Sequence, residues 1–411
     1  MKKAFILSIF FTIVSIALSL AFKSMTATLF SKGDLAVFYS VLDLVGLFML
    51  LFIGFRASMT VSFHKGVEVG GMLNLFRIII GFVAVLGCVA SFFILESFGV
   101  GISFLNLFGM FAAFALYTYF SNQLGMYRLY TETNVITILE PLALMGWFAV
   151  LFFWLEVKGV EVLYLAAPMG MLTTALYIGL KKMRLHAEPP FFLPSLDEKL
   201  KVFLKNSALG GAEFVFGMLI LYLAVLFVGR MLSLEALGEF QVVVKSFFMY
   251  YISIFVFPIV KFILPELSML VEKKDFGSIA KLGRFAFLYA VSAGAAAFLF
   301  SAFLGETLIT GLFGALYLPS YIPLVILSAA IVFVTINTYQ VALLKSLDRF
   351  LLSTAVRATG SVIFPVFAFC IYPFAPSLEG VSAALLLSYA VMAVISYYFS
   401  KAEMKKLALK D

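Results

Sequence analysis

Apolar residues fill this chain in blocks of about twenty, each closed by a charge, a glycine or a proline. Twelve blocks can be marked, at roughly 4–22, 35–55, 76–95, 103–124, 134–155, 160–180, 202–229, 239–263, 283–304, 320–343, 350–372 and 379–399. A helix needs about 20 mostly apolar residues to cross the hydrocarbon core of a bilayer, so each block reads as one span. The loops are short and leave no room for an inserted soluble domain. The longest polar stretch, KKMRLHAEPPFFLPSLDEKLK (181–201), holds Pro189, Pro190 and Pro194 and falls near the midpoint. The expected fold is all-α, a polytopic membrane protein with about twelve transmembrane helices. They would form two pseudo-symmetric six-helix halves, 1–183 and 199–411, joined by a cytoplasmic linker at 184–198 and enclosing a central cavity.

Composition fits this reading. Of the 411 residues, 64% are hydrophobic and 12% charged, against roughly 45–50% apolar and about 25% charged in soluble domains. The N-terminal MKKAFILSIFFTIVSIALSLAF starts like a signal peptide. Its apolar run is too long for one and no small-residue cleavage site follows, so it reads as a retained first span. Cys88 and Cys370 lie in separate apolar runs, and His64 and His186 in polar loops without a second ligand at metal spacing. No metal site or cofactor is expected. P-loop, HExxH and GxSxG motifs are absent.

Charge sets the orientation. Lys23, Lys32, Lys158 and Arg230 fall on one side of the spans, Lys245 falls within one, and the remaining 24 of the 29 lysines and arginines fall on the other side. Basic loops stay in the cytoplasm, so both termini are expected there, in a bacterial inner membrane. The net charge of +7 is then a matter of topology and anionic lipid, and nucleic acid is not an expected partner.

Sliding the halves by 202 residues lays KGDLAVFYSVLD (32–43) over LEALGEFQVVVK (234–245). Leu35 meets Leu237, Phe38 meets Phe240, Tyr39 meets Gln241 and Asp43 meets Lys245. Six spans separate the copies, which implies a parallel repeat about an axis normal to the membrane.

Ionisable groups inside spans are costly unless they face a bundle interior or a wet cavity. Asp43, Glu140, Glu213 and Lys245 lie deepest, and Lys23, Arg56 and Lys261 nearer span ends, where snorkelling to headgroups is the competing reading. Ser8, Thr12, Ser15, Ser19 and Lys23 recur at helical spacing on one face of span 1. Such a stripe either glues helix to helix or walls a hydrated cavity. Asn206, Gly210, Glu213 and Gly217 form a similar face on span 7, and Gln241 lies one turn before Lys245. A cleft lined by spans 1, 2, 7 and 8 would keep these groups out of lipid, with Asp43 and Lys245 able to pair across it. Pro141, Pro258 and Pro365 are candidate kinks.

Four segments carry a resemblance: LFSKGDLAVFYSVLD, LSLEALGEFQVVVKSFF, PIVKFILPELSML and GETLITGLFGALYLPSYIPLVIL, the last with an LFG-x-x-Y-x-x-S pattern. Together they resemble the Wzx-type polysaccharide flippases of the multidrug/oligosaccharidyl-lipid/polysaccharide exporter superfamily. The resemblance implies alternating-access transfer of an isoprenyl-diphosphate-linked oligosaccharide to the outer leaflet, with membrane lipids and glycan polymerase machinery as partners. It also implies substrate contacts from Lys23, Asp43, Arg56, Lys245 and Lys261. Twelve spans, against fourteen in the lipid II branch, and fewer arginines favour an O-antigen or capsule unit as cargo. Physically, cations suit a diphosphate, and Ser, Thr, Asn, Gln and carboxylates suit sugar hydroxyls. The carboxylates alternatively bind H⁺ or Na⁺, which leaves a cation-coupled multidrug antiporter of the same superfamily open. An enzyme is disfavoured: there is no large external loop for a polymerase and no DxD motif for a glycosyltransferase.

Overall fold

The computed structural model describes residues 2–64, 67–97, 100–127, 129–347 and 349–408, apart from a few side chains within them. Among these residues there are helices and no strands. The helices are α1 (Lys2–Leu29), α2 (Lys32–Leu50), α3 (Ile53–His64), α4 (Val69–Ser97), α5 (Phe104–Met126), α6 (Tyr130–Ala149), α7 (Glu161–Met183) and α8 (Glu198–Met231). They continue with α9 (Leu234–Glu239), α10 (Lys245–Tyr251), α11 (Phe257–Glu272), α12 (Phe276–Phe313), α13 (Tyr321–Ser328), α14 (Ile331–Ser346), α15 (Phe350–Ile371) and α16 (Leu378–Ala408). Among the described residues eleven stretches are long and apolar enough to cross a membrane. A further pair, Ala315–Ser328 with Ile331–Ser346, is bent by 40° and makes twelve if taken as one span. The all-α polytopic expectation therefore holds. By compactness the chain divides into Met1–Val215 and Phe216–Asp411, a boundary that lies within α8.

In the N-terminal unit, α7 lies against α5 and α6, α6 against α1, and α5 against α3 and α4. Span 2 runs as one stretch, Lys32–Thr60, but its helical ladder is interrupted. It breaks at Leu51–Phe52 between α2 and α3. Inside a bilayer a broken helix needs replacement partners for its backbone, and Asn122 Nδ2 of α5 donates to the Phe52 carbonyl at 2.7 Å. Close approach of α8 fixes the same segment. A Cβ added to Gly54 would lie 2.1 Å from the Gly211 nitrogen, and one on Gly211 2.2 Å from the Leu51 oxygen. Gly210, which the sequence pattern puts on a polar face with Asn206 and Glu213, belongs to this backbone contact. Small residues allow such crossings. Phe55 then stacks on Phe76 (5.1 Å, 20°), and Phe76 on Tyr119 (5.6 Å, 29°).

In the C-terminal unit, α14 lies against α11, α12, α15 and α16, and α12 and α16 both touch α13. Leu267, Ile279, Ala286, Ala342 and Leu343 form one of its cores. Between α9 and α11 the backbone widens twice into π turns, Phe240–Val244 and Ile252–Val256, on either side of α10. The LFG-x-x-Y-x-x-S pattern is structural. Gly314 ends α12 at φ 87°, a conformation that favours glycine, and Tyr317 and Ser320 are buried in the short 3₁₀ turn that follows.

Candidate functional site

A cavity of about 450 Å³ opens within the N-terminal unit. Ser15 and Ser19 of α1 line it, with Arg56 of α3, Tyr117 of α5, Thr133, Thr137, Glu140 and Pro141 of α6, and Gly170 and Met171 of α7. Each side chain arrives there for a local reason. Four residues separate Ser15 from Ser19, so both sit on one face of α1. Arg56 follows the break at Leu51–Phe52 by one turn and runs past Gly125 of α5, where a Cβ would stand 3.4 Å from its Nε. Glu140 precedes Pro141, which has no N–H to donate into α6. The Tyr117 hydroxyl donates to Glu140 Oε2 at 3.0 Å. Thr133 and Thr137 donate to the carbonyls of Leu129 and Thr133, at 3.0 and 2.9 Å, and their hydroxyl oxygens remain able to accept.

The cavity thus collects one guanidinium, one carboxylate and five hydroxyls in a setting that is otherwise apolar. The guanidinium offers a fork of donors matched to phosphate oxygens. The carboxylate and hydroxyls can bind sugar hydroxyls or a small cation. Of the residues expected from sequence, Ser15, Ser19, Arg56 and Glu140 meet here. Tyr117, Thr133 and Thr137 had been passed over.

The other expected residues lie elsewhere. Lys23 is half-buried with Nζ 4.4 Å from the Tyr39 ring centre, and Asp43 and Thr12 are half-buried on α2 and α1. Asn206 is exposed on α8, whereas Glu213 of the same helix is buried. The side chains of Ser8 and Lys261 fall outside the described residues. Lys245 is buried in the C-terminal unit, where Nζ donates to Gln241 Oε1 at 3.2 Å and lies 5.3 Å from the Tyr222 ring centre. Its position follows from the first π turn. Ser246 donates to the Gln241 carbonyl at 2.8 Å, five residues back, in the widened register.

One polar cluster was invisible in the sequence. The loop after α7 folds back onto the N-terminal unit, and Glu188 accepts from Arg77, Lys182 and Tyr119, the last at 2.9 Å. Arg77 also donates to Tyr119 Oη at 2.7 Å and to the Pro189 carbonyl at 3.0 Å, and Asn74 donates to the Pro190 carbonyl at 3.0 Å. His186 stacks on Tyr127 at 3.9 Å. Burial alone would raise the Glu188 carboxyl, but the hydrogen bond and charge of Lys182, the Tyr119 hydroxyl and Arg77 outweigh it and hold it below its ordinary value. Among the described residues no group of three or more His, Cys, Asp or Glu is placed to hold a metal ion.

Solved structures share this helical fold, among them transporters described as members of the MOP superfamily. The inward-closed lipid II flippase MurJ superposes with a TM-score of 0.74 at 13% identity, over 100% of this chain and 90% of that one. An inward-facing multidrug resistance MATE family transporter of the MOP superfamily superposes at 0.75 and 13%, over 97% and 95%. A mutant of the Vibrio cholerae MATE transporter VcmN gives 0.72 and 11%, over 98% and 97%. Sequence comparison finds no matching family model and no matching curated protein.

Proposed function

We propose that this protein is an alternating-access flippase. It moves an isoprenyl-diphosphate-linked oligosaccharide, an O-antigen or capsule unit, from the inner to the outer leaflet of a bacterial cytoplasmic membrane. Both termini face the cytoplasm, and a glycan polymerase receives the product. The observation that carries this reading is the composition of the N-terminal cavity. Arg56 supplies a phosphate-binding fork, and Ser15, Ser19, Tyr117, Thr133, Thr137 and Glu140 supply sugar partners on the same walls. The fold shared with a structure described as a lipid II flippase lends support.

The carboxylate in that cavity favours a second reading, a cation-coupled multidrug antiporter in which Glu140 exchanges H⁺ or Na⁺ for a cationic drug. In that case Arg56 would oppose the cargo by like charge. The two readings separate in a bacterium lacking its own glycan flippase. Under the flippase reading the wild-type chain restores surface glycan, Arg56→Ala fails and Arg56→Lys restores part. If the wild type restores no glycan but confers resistance to cationic dyes, the antiporter reading replaces it.

A further inference from the structure

A second cavity, larger than the one described above, opens in the C-terminal unit. It is a groove of about 1000 Å³ on the C-terminal unit, between α12, α14 and α16. Its walls are apolar, with Leu288, Phe333 and Val394 on one stretch and Ile279, Leu343 and Met404 on another. Its charged lining residues are Arg284 and Lys401, both basic and both exposed. Among the described residues neither makes an ion pair. The nearby carboxylate of Glu403 is engaged by Arg349 and Lys406, and Lys401 lies 5.7 Å from the Tyr397 ring centre.

Depth in the membrane can be read from which apolar residues α12 exposes. They begin at Phe285 and end at Leu304, a rise of about 29 Å at 1.5 Å per residue, close to the roughly 30 Å of the hydrocarbon core. Arg284 stands immediately before that stretch. On α16 the exposed run Tyr397, Tyr398, Phe399 is followed by Lys401. Both cations therefore sit where hydrocarbon gives way to headgroups, at the end that the lysine and arginine count assigns to the cytoplasm. The groove continues from them into the hydrocarbon zone.

We propose that this groove is a binding site for an anionic phospholipid of the cytoplasmic leaflet. The lipid phosphate bridges Arg284 and Lys401, and one acyl chain lies against Leu288, Phe333 and Val394. Basic pockets between membrane helices on the cytoplasmic side bind acidic headgroups in this way. A zwitterionic lipid could fill the apolar wall but would bring its own cation to two that lack a counter-ion. This site stands apart from the N-terminal cavity and does not depend on what that cavity transports.

The test is native mass spectrometry of the purified full-length protein, titrated with palmitoyl-oleoyl phosphatidylglycerol or with the phosphatidylcholine of identical chains. Each cation near an acidic headgroup contributes roughly fivefold, so phosphatidylglycerol should be retained about 30-fold more tightly. Arg284→Ala with Lys401→Ala should remove that preference, and Arg284→Lys with Lys401→Arg should keep it. Ala280→Trp, which fills the groove and leaves both charges, should also release the lipid. Equal retention of the two lipids, or a preference that survives the double alanine variant, overturns the proposal. Displacement of phosphatidylglycerol by an equimolar polyprenyl diphosphate assigns the groove to isoprenoid cargo and overturns it as well.

Discussion

The Tyr117 hydroxyl of α5 donates to the Glu140 carboxylate of α6 at 3.0 Å, on the wall of a cavity that also holds Arg56. A hydrogen bond to a charged group contributes about 1.5–3 kcal/mol, and two residues sharing one bond do not act additively. Tyr117→Phe and Glu140→Gln should each lower transport by roughly ten-fold or more. The double variant should be no worse than the more damaged single. Surface-glycan labelling in a flippase-deficient host measures this. Losses that multiply in the double variant would mean that the two residues work independently.

At the crossing of α3 and α8 there is no space for a methyl group. Gly54→Ala would put Cβ 2.1 Å from a backbone nitrogen, and backbone cannot rotate away as a side chain can. Forced overpacking costs about 1–3 kcal/mol or more. The yield of monodisperse protein and its melting temperature should both fall. Gly81 is a control on α4, with nothing within 4 Å of its added Cβ. Gly81→Ala should be neutral or slightly stabilising, because alanine restricts the unfolded chain.

Acid should loosen the loop after α7. The Glu188 carboxyl titrates below its ordinary value of 4.5 when folded. Its contribution is therefore fully present above that ordinary value and is lost as pH falls through the lower, folded-state value. Between neutral pH and pH 3, the exchange protection of residues 186–192, referred to the intrinsic rate at each pH, should fall more in the wild type than in Glu188→Gln, which is already loosened at neutral pH. Identical pH profiles for the two proteins would remove Glu188 from the account.

Lys245 and Gln241 form a buried couple in the C-terminal unit, 3.2 Å apart. Lys245→Met leaves the Gln241 carbonyl oxygen without this donor, a loss of about 1–3 kcal/mol. Replacing both partners with apolar residues removes donor and acceptor together, so Lys245→Met with Gln241→Leu should recover part of the melting temperature lost by Lys245→Met alone. A double variant less stable than the single would show that Lys245 is held by other partners.

Span positions were legible because burial in lipid demands long apolar runs, and each of the twelve blocks lies on helix. The break at Leu51–Phe52 was not, since neither residue is a proline or glycine. What accompanies it lies far off in sequence: Asn122, 70 residues away, and Gly211 of α8. The π turns around Lys245 leave no mark in an apolar stretch where every residue suits either helical form. At the site, Arg56 and Glu140 stood out because charge is expensive in a span. Tyr117, Thr133 and Thr137 cost little there and gave no signal. Glu188 looked like one more acid in a polar loop, and only folding brings Arg77 and Lys182 to it.

The bond from Asn122 to the Phe52 carbonyl has a consequence for Arg56. A helix interrupted within hydrocarbon needs further partners at the gap, and here a side-chain amide supplies one. The segment after the gap is thereby tied to α5 as well as to the half-span that precedes it. The placement of the cavity's one guanidinium thus depends in part on a helix that does not carry it.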